Sequence, residues 1–235
     1  MKTTKLNLIN KNIYLKTLTN KDVSHFETFF IKKYKNNYFY NLNKTFINLR
    51  KTLQFIEAII SKKGNILFVG HRNYKTKDLK KTNSVDKSIK ALAEETDQIY
   101  VEYFWKAGAF TNNAVLQNIK TQYEIKNKLI TKKNNDFTKR KKKFDSLFTE
   151  ILNLDSLPNA IVSFSYKQSA SLINEAAKLK IPVICLVGEN DNLVKNIDYP
   201  IIGNDVSPSS LQFFVKVIKR AIQRGQLKQK YAKTF

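Results

Sequence analysis

Apolar residues recur along this chain in two patterns, one typical of helices and one typical of buried strands. Residues 44–63 carry apolar residues on one side of a helical projection and charge on the other. The apolar positions are Phe46, Leu49, Leu53, Ile56 and Ile60. We expect this helix to end at Gly64. The continuous apolar run at 66–69 then predicts a buried strand that is bounded by glycine.

The same succession of helix-like and strand-like segments continues towards the C-terminus. Further helices are predicted at 84–95, 112–131, 144–152, 167–180 and 209–224. Further strands are predicted at 98–104, 159–164, 181–188 and 198–202. Ser84 and the pair Ser207-Pro208 are candidate helix starts, and Gly225 is a candidate helix end. Because strands that alternate with helices favour a parallel sheet covered on both faces, the predicted fold class is α/β.

A long polar segment interrupts this succession in the middle of the chain. The helix at 112–131 is followed by the turn-like sequence Asn134-Asn135-Asp136 and by the helix at 144–152. Two helices joined by a short polar turn predict a helical hairpin that projects from the body. The predicted parts are a basic N-terminal segment (1–43), an α/β core (44–111 and 155–225), a helical hairpin insertion (112–154) and a basic tail (226–235).

The charge of the chain is strongly and unevenly positive. Its 235 residues include 42 Lys and Arg against 19 Asp and Glu, a formal net charge of +23. The excess lies in three blocks, 1–81, 126–143 and 216–235, and the segments between them are slightly acidic. A compact domain with this charge repels itself unless a polyanion compensates, and the pattern favours nucleic acid. A membrane surface or RNA outside any larger particle is the alternative, although no apolar run reaches the length of a membrane span.

Thirteen basic residues in the first two blocks are candidate RNA contacts. They are Lys32, Lys33, Lys35, Lys62, Lys63, Arg72, Lys75, Lys77, Lys139, Arg140, Lys141, Lys142 and Lys143. The run 139–143 is a candidate phosphate-binding patch. Tyr34, Tyr38 and Tyr40 lie among the N-terminal lysines, where they either stack on unpaired bases or anchor the segment to the core.

Motifs of nucleotide-dependent enzymes do not occur in the sequence. It contains no G-x-G-x-x-G, no Walker lysine loop and no G-x-S-x-G elbow. Gly70, His71 and Arg72 nevertheless follow the first predicted strand of the core, a place where α/β enzymes hold nucleotides. A basic nucleotide-dependent α/β enzyme is therefore the alternative function. With two histidines and one cysteine, a zinc site would need distant carboxylates, so neither a metal nor a cofactor is predicted.

Residues with reactive or unusual side chains have structural explanations. Cys185 lies within an apolar strand and behaves there as a small hydrophobe; as the single cysteine it forms no internal disulfide. For Trp105 a core position is favoured over a base-stacking platform. For Asp191, Asp198 and Asp205, which each follow an apolar run, turn and cap duty is favoured over a metal cluster.

Five motifs, in this order, resemble the bacterial-type small-subunit ribosomal protein two family. They are INLRKTLQFIEAIISKKGNILFVGHR (47–72), YVEYFWKAGAFTNNAVLQN (100–118), LPNAIVSF (157–164), INEAAKLKIPVICLVGENDN (173–192) and IDYPIIGND (197–205). The second keeps the family's Trp105, Gly108, Thr111 and Asn112, and the last resembles its VDYPIPGND nearly letter for letter. The order of the five, with the hairpin between the second and third, carries the resemblance.

This resemblance implies a Rossmann-like parallel sheet flanked by helices, with a projecting α-helical hairpin. It further implies a structural, non-enzymatic constituent of the small ribosomal subunit that lies near the head–body junction. The expected partners are small-subunit rRNA and neighbouring ribosomal proteins, and no homo-oligomer is expected.

Two departures from the family pattern accompany a strong compositional bias. The family's GVHFGHQTRRWNPKM is reduced to residues 22–39, and its Val-Asp-Thr-Asn has become Val187-Gly188-Glu189-Asn190. Residues with A/T-rich codons (Lys, Asn, Ile, Phe and Tyr) are abundant, while there are 6 Gly and 4 Pro. Together the drift and the bias predict a mitochondrial member, with a plastid as the second choice.

Overall fold

The computed structural model describes residues 15–17, 30–34, 37–71, 84–101, 105, 108–129, 139, 156–188 and 196–232. Its strands are β1 (Leu15–Thr17), β2 (Phe30–Tyr34), β3 (Asn37–Tyr40), β4 (Ile66–Val69), β5 (Ile99–Val101), β6 (Ala160–Ser163), β7 (Val183–Val187) and β8 (Tyr199–Ile202). Its helices are α1 (Leu42–Ser61), α2 (Ser84–Glu95), α3 (Asn113–Leu129), α4 (Tyr166–Lys178) and α5 (Pro208–Tyr231).

A sheet of parallel strands forms the centre of the molecule, in the order β5-β4-β6-β7-β8. Leu67 of β4 lies opposite Ile99 of β5 on one side and opposite Ile161 of β6 on the other. Parallel neighbours need long crossover connections, and here α2 connects β4 to β5 and α4 connects β6 to β7. The predicted α/β fold with a parallel sheet flanked by helices is therefore confirmed.

Successive side chains of the central strands enter two separate apolar cores. Ile66 and Phe68 of β4 face the core covered by α1, α2 and α5. Leu67 and Val69 face the core covered by α4 and the segment around Trp105. All four strand residues are at most 1% exposed. A strand buried on both faces is apolar at every position, which explains why the run at 66–69 predicts it correctly.

A small antiparallel sheet precedes the core, in the order β1-β3-β2. On β2, Lys32 lies opposite Phe39 and Lys33 opposite Tyr38. These strands were not predicted, because lysines interrupt the aromatic pattern of the basic N-terminal segment. Tyr40, at the end of β3, is 1% exposed, so at this position the anchoring role is confirmed.

Helices α1, α2 and α4 end in the same kind of turn, each with a charged residue in the left-handed conformation. These residues are Lys63 (φ 62°), Asp97 (φ 54°) and Lys180 (φ 56°). After α1, the Lys63 amide donates to Ile60 O at 3.0 Å and the Gly64 amide donates to Ile59 O at 3.0 Å. The left-handed residue that terminates α1 is thus Lys63 rather than Gly64. Gly64 follows it, where a Cβ would lie 2.6 Å from Ile59 Cγ2.

Helix α5 is longer than the sequence analysis predicted. It begins as expected with Ser207 at the N-cap and Pro208 at the first helical position, but it continues to Tyr231. The predicted end at Gly225 was wrong. This glycine lies inside the helix, where a Cβ would lie 2.8 Å from Ile60 Cβ of α1. Gly225 therefore serves the close approach of α5 to α1, and residues 226–231 of the predicted basic tail are helical.

The predicted hairpin is described only in its first arm. Helix α3 confirms the helix expected at 112–131. The turn at 134–136 and the helix at 144–152 lie outside the described residues, although Lys139 itself is helical. The projecting hairpin therefore stays a prediction. No helix within the described ranges has the length and apolarity needed to cross a membrane.

We expect Gly225→Ala to destabilise the fold although alanine is the better helix former. The new Cβ would overlap Ile60 and force α1 and α5 apart, which should lower the free energy of unfolding by about 1–3 kcal/mol. Urea denaturation measures this change. Gln223→Ala, at an exposed position of α5, is the matched control and should stay within about 0.5 kcal/mol of the parent. A Gly225→Ala protein at least as stable as the parent would contradict the packing role.

Candidate nucleic-acid interface

The carboxyl edge of the central sheet is the place where open α/β sheets bind nucleotides, at the point where the strand order reverses. In this order the reversal lies between β4 and β6. Ser163, the last residue of β6, has its Oγ 2.6 Å from Ser169 Oγ and donates to Ser165 O at 3.0 Å. All three serines are buried. The chain's own hydroxyls therefore occupy this part of the edge.

His71 fills the adjoining part of the edge, next to the end of β4. Its backbone amide donates to Asp86 Oδ1 at 2.9 Å, and Tyr100 donates its hydroxyl to the same carboxylate at 3.0 Å. The residue is 6% exposed, and its Nδ1 has no hydrogen-bond partner among the described residues. Burial lowers the pKa of His71 below its ordinary 6.5, although Asp205 and Asp86 oppose the shift. The imidazole is thus held neutral in the folded protein at neutral pH.

Aspartates near the strand ends take up contacts within the chain. A Cβ on Gly188 would collide with the carboxylate of Asp205, so the glycine leaves room for that side chain. Asp198 Oδ2 accepts a hydrogen bond from Val183 N at 2.8 Å, as expected for turn and cap duty. Asp191 lies outside the described residues. Within the described ranges, no group of three or more His, Cys, Asp or Glu side chains is placed to hold a metal ion.

Two clefts lined by described residues lie at the opposite, amino edge of the sheet. One of about 460 Å³ is lined by Ala177, Lys180, Ile181, Pro182, Asn196, Ile197 and Asp198. Another of about 210 Å³ brings Lys63 and Asp97 near Gln226 and Gln229 of α5. Because nucleotides bind α/β sheets at the carboxyl edge, these positions give no support to the enzyme alternative.

The described part of the chain includes five of the thirteen candidate RNA contacts. Lys32 and Lys33 lie on β2. Lys62 and Lys63 are exposed at the end of α1, and Lys139 is exposed in a helical conformation. The other candidates lie outside the described residues: Lys35, Arg72, Lys75, Lys77, Arg140, Lys141, Lys142 and Lys143. Lys62 and Lys63 therefore form an exposed pair, and the RNA contacts of all thirteen candidates stay predictions.

Four basic residues of α5 were missed as individual candidates. Lys216, Arg220, Arg224 and Lys228 follow one another at intervals of four residues, and all are exposed. The basic block at 216–235 was predicted from its charge, but a count of charges does not show which residues lie on the same face of a helix. The constant spacing of four is the signal that identifies a row on one side of a helix.

A buried carboxylate joins two of the sequence motifs. Glu175 of α4 accepts hydrogen bonds from Trp105 Nε1 at 3.1 Å, from Gly108 N at 2.5 Å and from Phe110 N at 3.1 Å. Glu175 and Trp105 are 6% and 8% exposed. The core position favoured for Trp105 is therefore confirmed. The contact between Glu175 and the indole was not predicted, because the two residues lie 70 positions apart along the chain.

Comparison with known proteins settles which family has these features. The family model described as ribosomal protein S2 matches residues 8–225. This chain belongs to the ribosomal protein S2 family. The resemblance carried by the five motifs is thereby confirmed, and the match includes the whole central sheet as well as Trp105 and Glu175.

Curated relatives of the S2 family are similar over most of this chain. Small ribosomal subunit protein uS2 of Anaplasma marginale is 30% identical over 201 residues, which are 82% of this chain and 58% of the relative. The uS2 protein of Wigglesworthia glossinidia brevipalpis is 29% identical over 199 residues (81% and 78%). The uS2m protein of Marchantia polymorpha is 30% identical over 192 residues (77% and 76%). The match spans only 58–63% of the length of the Anaplasma marginale and Ehrlichia relatives.

In this S2-family chain we expect Glu175→Ala to be strongly destabilising. The change leaves the indole N–H and two buried backbone N–H groups without an acceptor, which should lower the free energy of unfolding by about 3 kcal/mol or more. Glu175→Gln keeps the shape of the side chain and one acceptor oxygen, and should lower the free energy of unfolding less than Glu175→Ala does. Denaturant titration compares both with Glu124→Ala, an exposed control on α3. A Glu175→Ala protein as stable as this control would contradict the bridging role.

We expect the burial of His71 to make the stability depend on pH below about 6.5. The pKa of His71 is lowered in the folded state, so in this range the unfolded chain binds a proton that the folded chain does not. This part of the stability is present above pH 6.5 and is lost as the pH falls through the lowered pKa. The measurement is the free energy of unfolding from pH 7.5 down to pH 5.

The second histidine of the chain supplies the control for this pH dependence. His71→Gln should flatten the loss of stability below pH 6.5, whereas His25→Gln should keep it. An unchanged pH profile in His71→Gln would show that burial of His71 is not its cause.

Proposed function

We propose that this chain is a structural constituent of the small ribosomal subunit that takes part in translation and catalyses no reaction. The observation that carries the proposal is the family match over residues 8–225. Its relatives from Anaplasma, Wigglesworthia and Marchantia are named as small ribosomal subunit proteins. At the described part of the carboxyl edge, buried His71, Ser163, Ser165 and Ser169 support a scaffold rather than a nucleotide enzyme.

The proposed partners are small-subunit rRNA and neighbouring ribosomal proteins near the head–body junction. The net charge of +23 favours a polyanionic partner, since a compact domain of this charge repels itself when alone. Exposed Lys62, Lys63 and Lys139 support the assignment of the basic candidates as phosphate contacts. The slightly acidic segments between the basic blocks are then the surface for protein neighbours, and the chain acts as a single copy.

The proposed compartment is the mitochondrion, with the plastid as the second choice. The abundance of residues with A/T-rich codons supports an organelle-encoded protein. The similarity to the uS2m protein of Marchantia polymorpha supports the mitochondrion, while bacterial uS2 proteins match about equally well. Immunolocalisation or fractionation of organelles tests this point directly.

We expect the chain to sediment with small ribosomal subunits at low salt and to be released as salt rises. Each phosphate that a lysine or arginine neutralises adds about −0.7 to −0.9 to the slope of log affinity against log salt, because condensed counterions are released. Sucrose-gradient sedimentation with mass spectrometry of each fraction measures the association. Small subunits that lack the chain at low salt would contradict the proposal.

Nucleotide binding separates this function from the enzyme alternative. Calorimetric titration of the full chain with ATP or NAD should show no binding heat. Micromolar binding of either nucleotide that is lost when Gly70 is replaced would favour the enzyme instead.

A further inference from the structure

The exposed side of helix α5 carries a regular row of cations. Lys216, Arg220, Arg224 and Lys228 repeat every four residues, so they lie on one side of the helix over a length of about 18 Å. All four are exposed. The 20 residues from 216 onwards contain no Asp or Glu that could balance them locally. We refer to these four residues as the α5 row.

One carboxylate from the neighbouring helix serves half of the α5 row. Glu57 of α1 lies 2.5 Å from Arg224 Nη2 and 3.0 Å from Lys228 Nζ. Its side chain is 14% exposed, whereas those of Arg224 and Lys228 are 50% and 64% exposed. Burial by itself would raise the pKa of Glu57, but the hydrogen bonds from Lys228 and Arg224 outweigh it and the pKa is lowered. Glu57 is therefore ionised at neutral pH.

The other half of the α5 row has no such compensation. Lys216 and Arg220 form no ion pair with any described residue, whereas nearby Lys219 is paired with Glu95 of α2. Like charges four residues apart destabilise a helix, so the row does not contribute to the folding of α5. A ligand that brings its own negative charges would remove this repulsion.

The chemistry around the α5 row favours RNA over a membrane. A membrane-surface helix needs an exposed apolar face beside its basic residues. Most of the apolar side of α5 is instead buried in the core, with Phe214, Ile218 and Ile222 at most 1% exposed. Its exposed large apolar residues are two, Leu227 and Tyr231 in the last turns, and two residues do not form an apolar face. A phosphodiester backbone needs only a line of cations.

We infer that the α5 row binds the phosphodiester backbone of RNA, with Glu57 as an internal counterion for the half of the row that it contacts. Lys216 and Arg220 meet phosphates directly. When RNA binds, phosphate oxygens replace some or all of the contacts that Arg224 and Lys228 make with the Glu57 carboxylate. The inference rests on the proposed function for the identity of the RNA, since small-subunit rRNA is the expected partner.

The predicted contacts at the end of α1 extend this surface. Lys63 lines the same cleft as Gln226 and Gln229, which lie on either side of Lys228 in the sequence of α5. The adjacent Lys62 is exposed as well. The α5 row and the Lys62–Lys63 pair thus belong to neighbouring parts of one surface. Helix α5 brings no acidic residue to it, and Asp97 is the acidic residue that lines the shared cleft.

The first test removes the uncompensated half of the α5 row from the full chain. The double variant Lys216→Gln/Arg220→Gln should reduce the slope of log affinity against log salt by about 1.5, with a transcript of small-subunit rRNA as the probe. The matched control, Lys87→Gln/Lys90→Gln, removes the same charge from exposed positions of α2 and should leave the slope nearly unchanged. Equal slopes for the two double variants would overturn the inference.

The second test makes the opposite prediction for the counterion. Glu57→Gln releases Arg224 and Lys228 and should tighten RNA binding and steepen the salt slope by about 1. Glu94→Gln makes the same charge change beside Lys90 on α2 and should do neither. Circular dichroism establishes that each variant is folded. Weaker or unchanged RNA binding by a folded Glu57→Gln protein would overturn the role of Glu57.

Two further measurements separate this inference from the proposed function. Binding to phosphatidylcholine–phosphatidylserine vesicles that depends on the α5 row, without row-dependent RNA binding, would overturn the choice of RNA. Sedimentation with small subunits tests the proposed function separately. The parent chain could fail to sediment with small subunits while the row variants still show a reduced slope of log RNA affinity against log salt. That result would contradict the ribosomal role and support RNA binding by the α5 row. If the parent chain sediments with small subunits and all variants keep the salt slope of the parent, only the inference about the α5 row is contradicted.

Discussion

A buried carboxylate, Glu175, holds together the side of the molecule where α4 and the segment around Trp105 cover the sheet. Three N–H groups, those of Trp105, Gly108 and Phe110, converge on it and fix these residues to a helix that lies 65 or more positions away along the chain. The amide of Asn112 then donates to Gly108 O at 2.7 Å, directly before α3 begins. The residues that lead into α3 are therefore tied to the hydrogen bonds of one buried carboxyl group.

The parts of the fold that the sequence predicts are those in which local pattern and tertiary environment agree. The strands β4 and β7 are apolar at every position because both faces are buried, and the helix at 84–95 is found with the same bounds. The predicted helix end at Gly225 was wrong because this glycine packs against Ile60, 165 positions away, and does not terminate the helix. The contacts of Glu175 were unpredictable for the same reason, since spacing along the chain does not reveal convergence in space.

The scarcity of glycine has a physical consequence at the ends of the helices. The left-handed position after a helix is normally best filled by glycine, because other residues bring their Cβ close to the backbone there. In this chain Lys63, Asp97 and Lys180 occupy it. Each of these residues makes the turn less stable than glycine would, and each places an exposed charge at the amino edge of the sheet. Two of the three charges are positive, so this substitution pattern adds to the basic surface.

The contact between α1 and α5 links stability to the proposed RNA surface. Gly225 allows the two helices to approach at Ile60, and one turn earlier on α1 the same approach places Glu57 beside Arg224 and Lys228. A wider separation would leave a half-buried carboxylate without its cations and the cations without their counterion. The packing of an apolar pair and the charge state of the α5 row are consequently set by one interhelical distance. A residue chosen for its small size thereby determines how many cations the helix has available for phosphate.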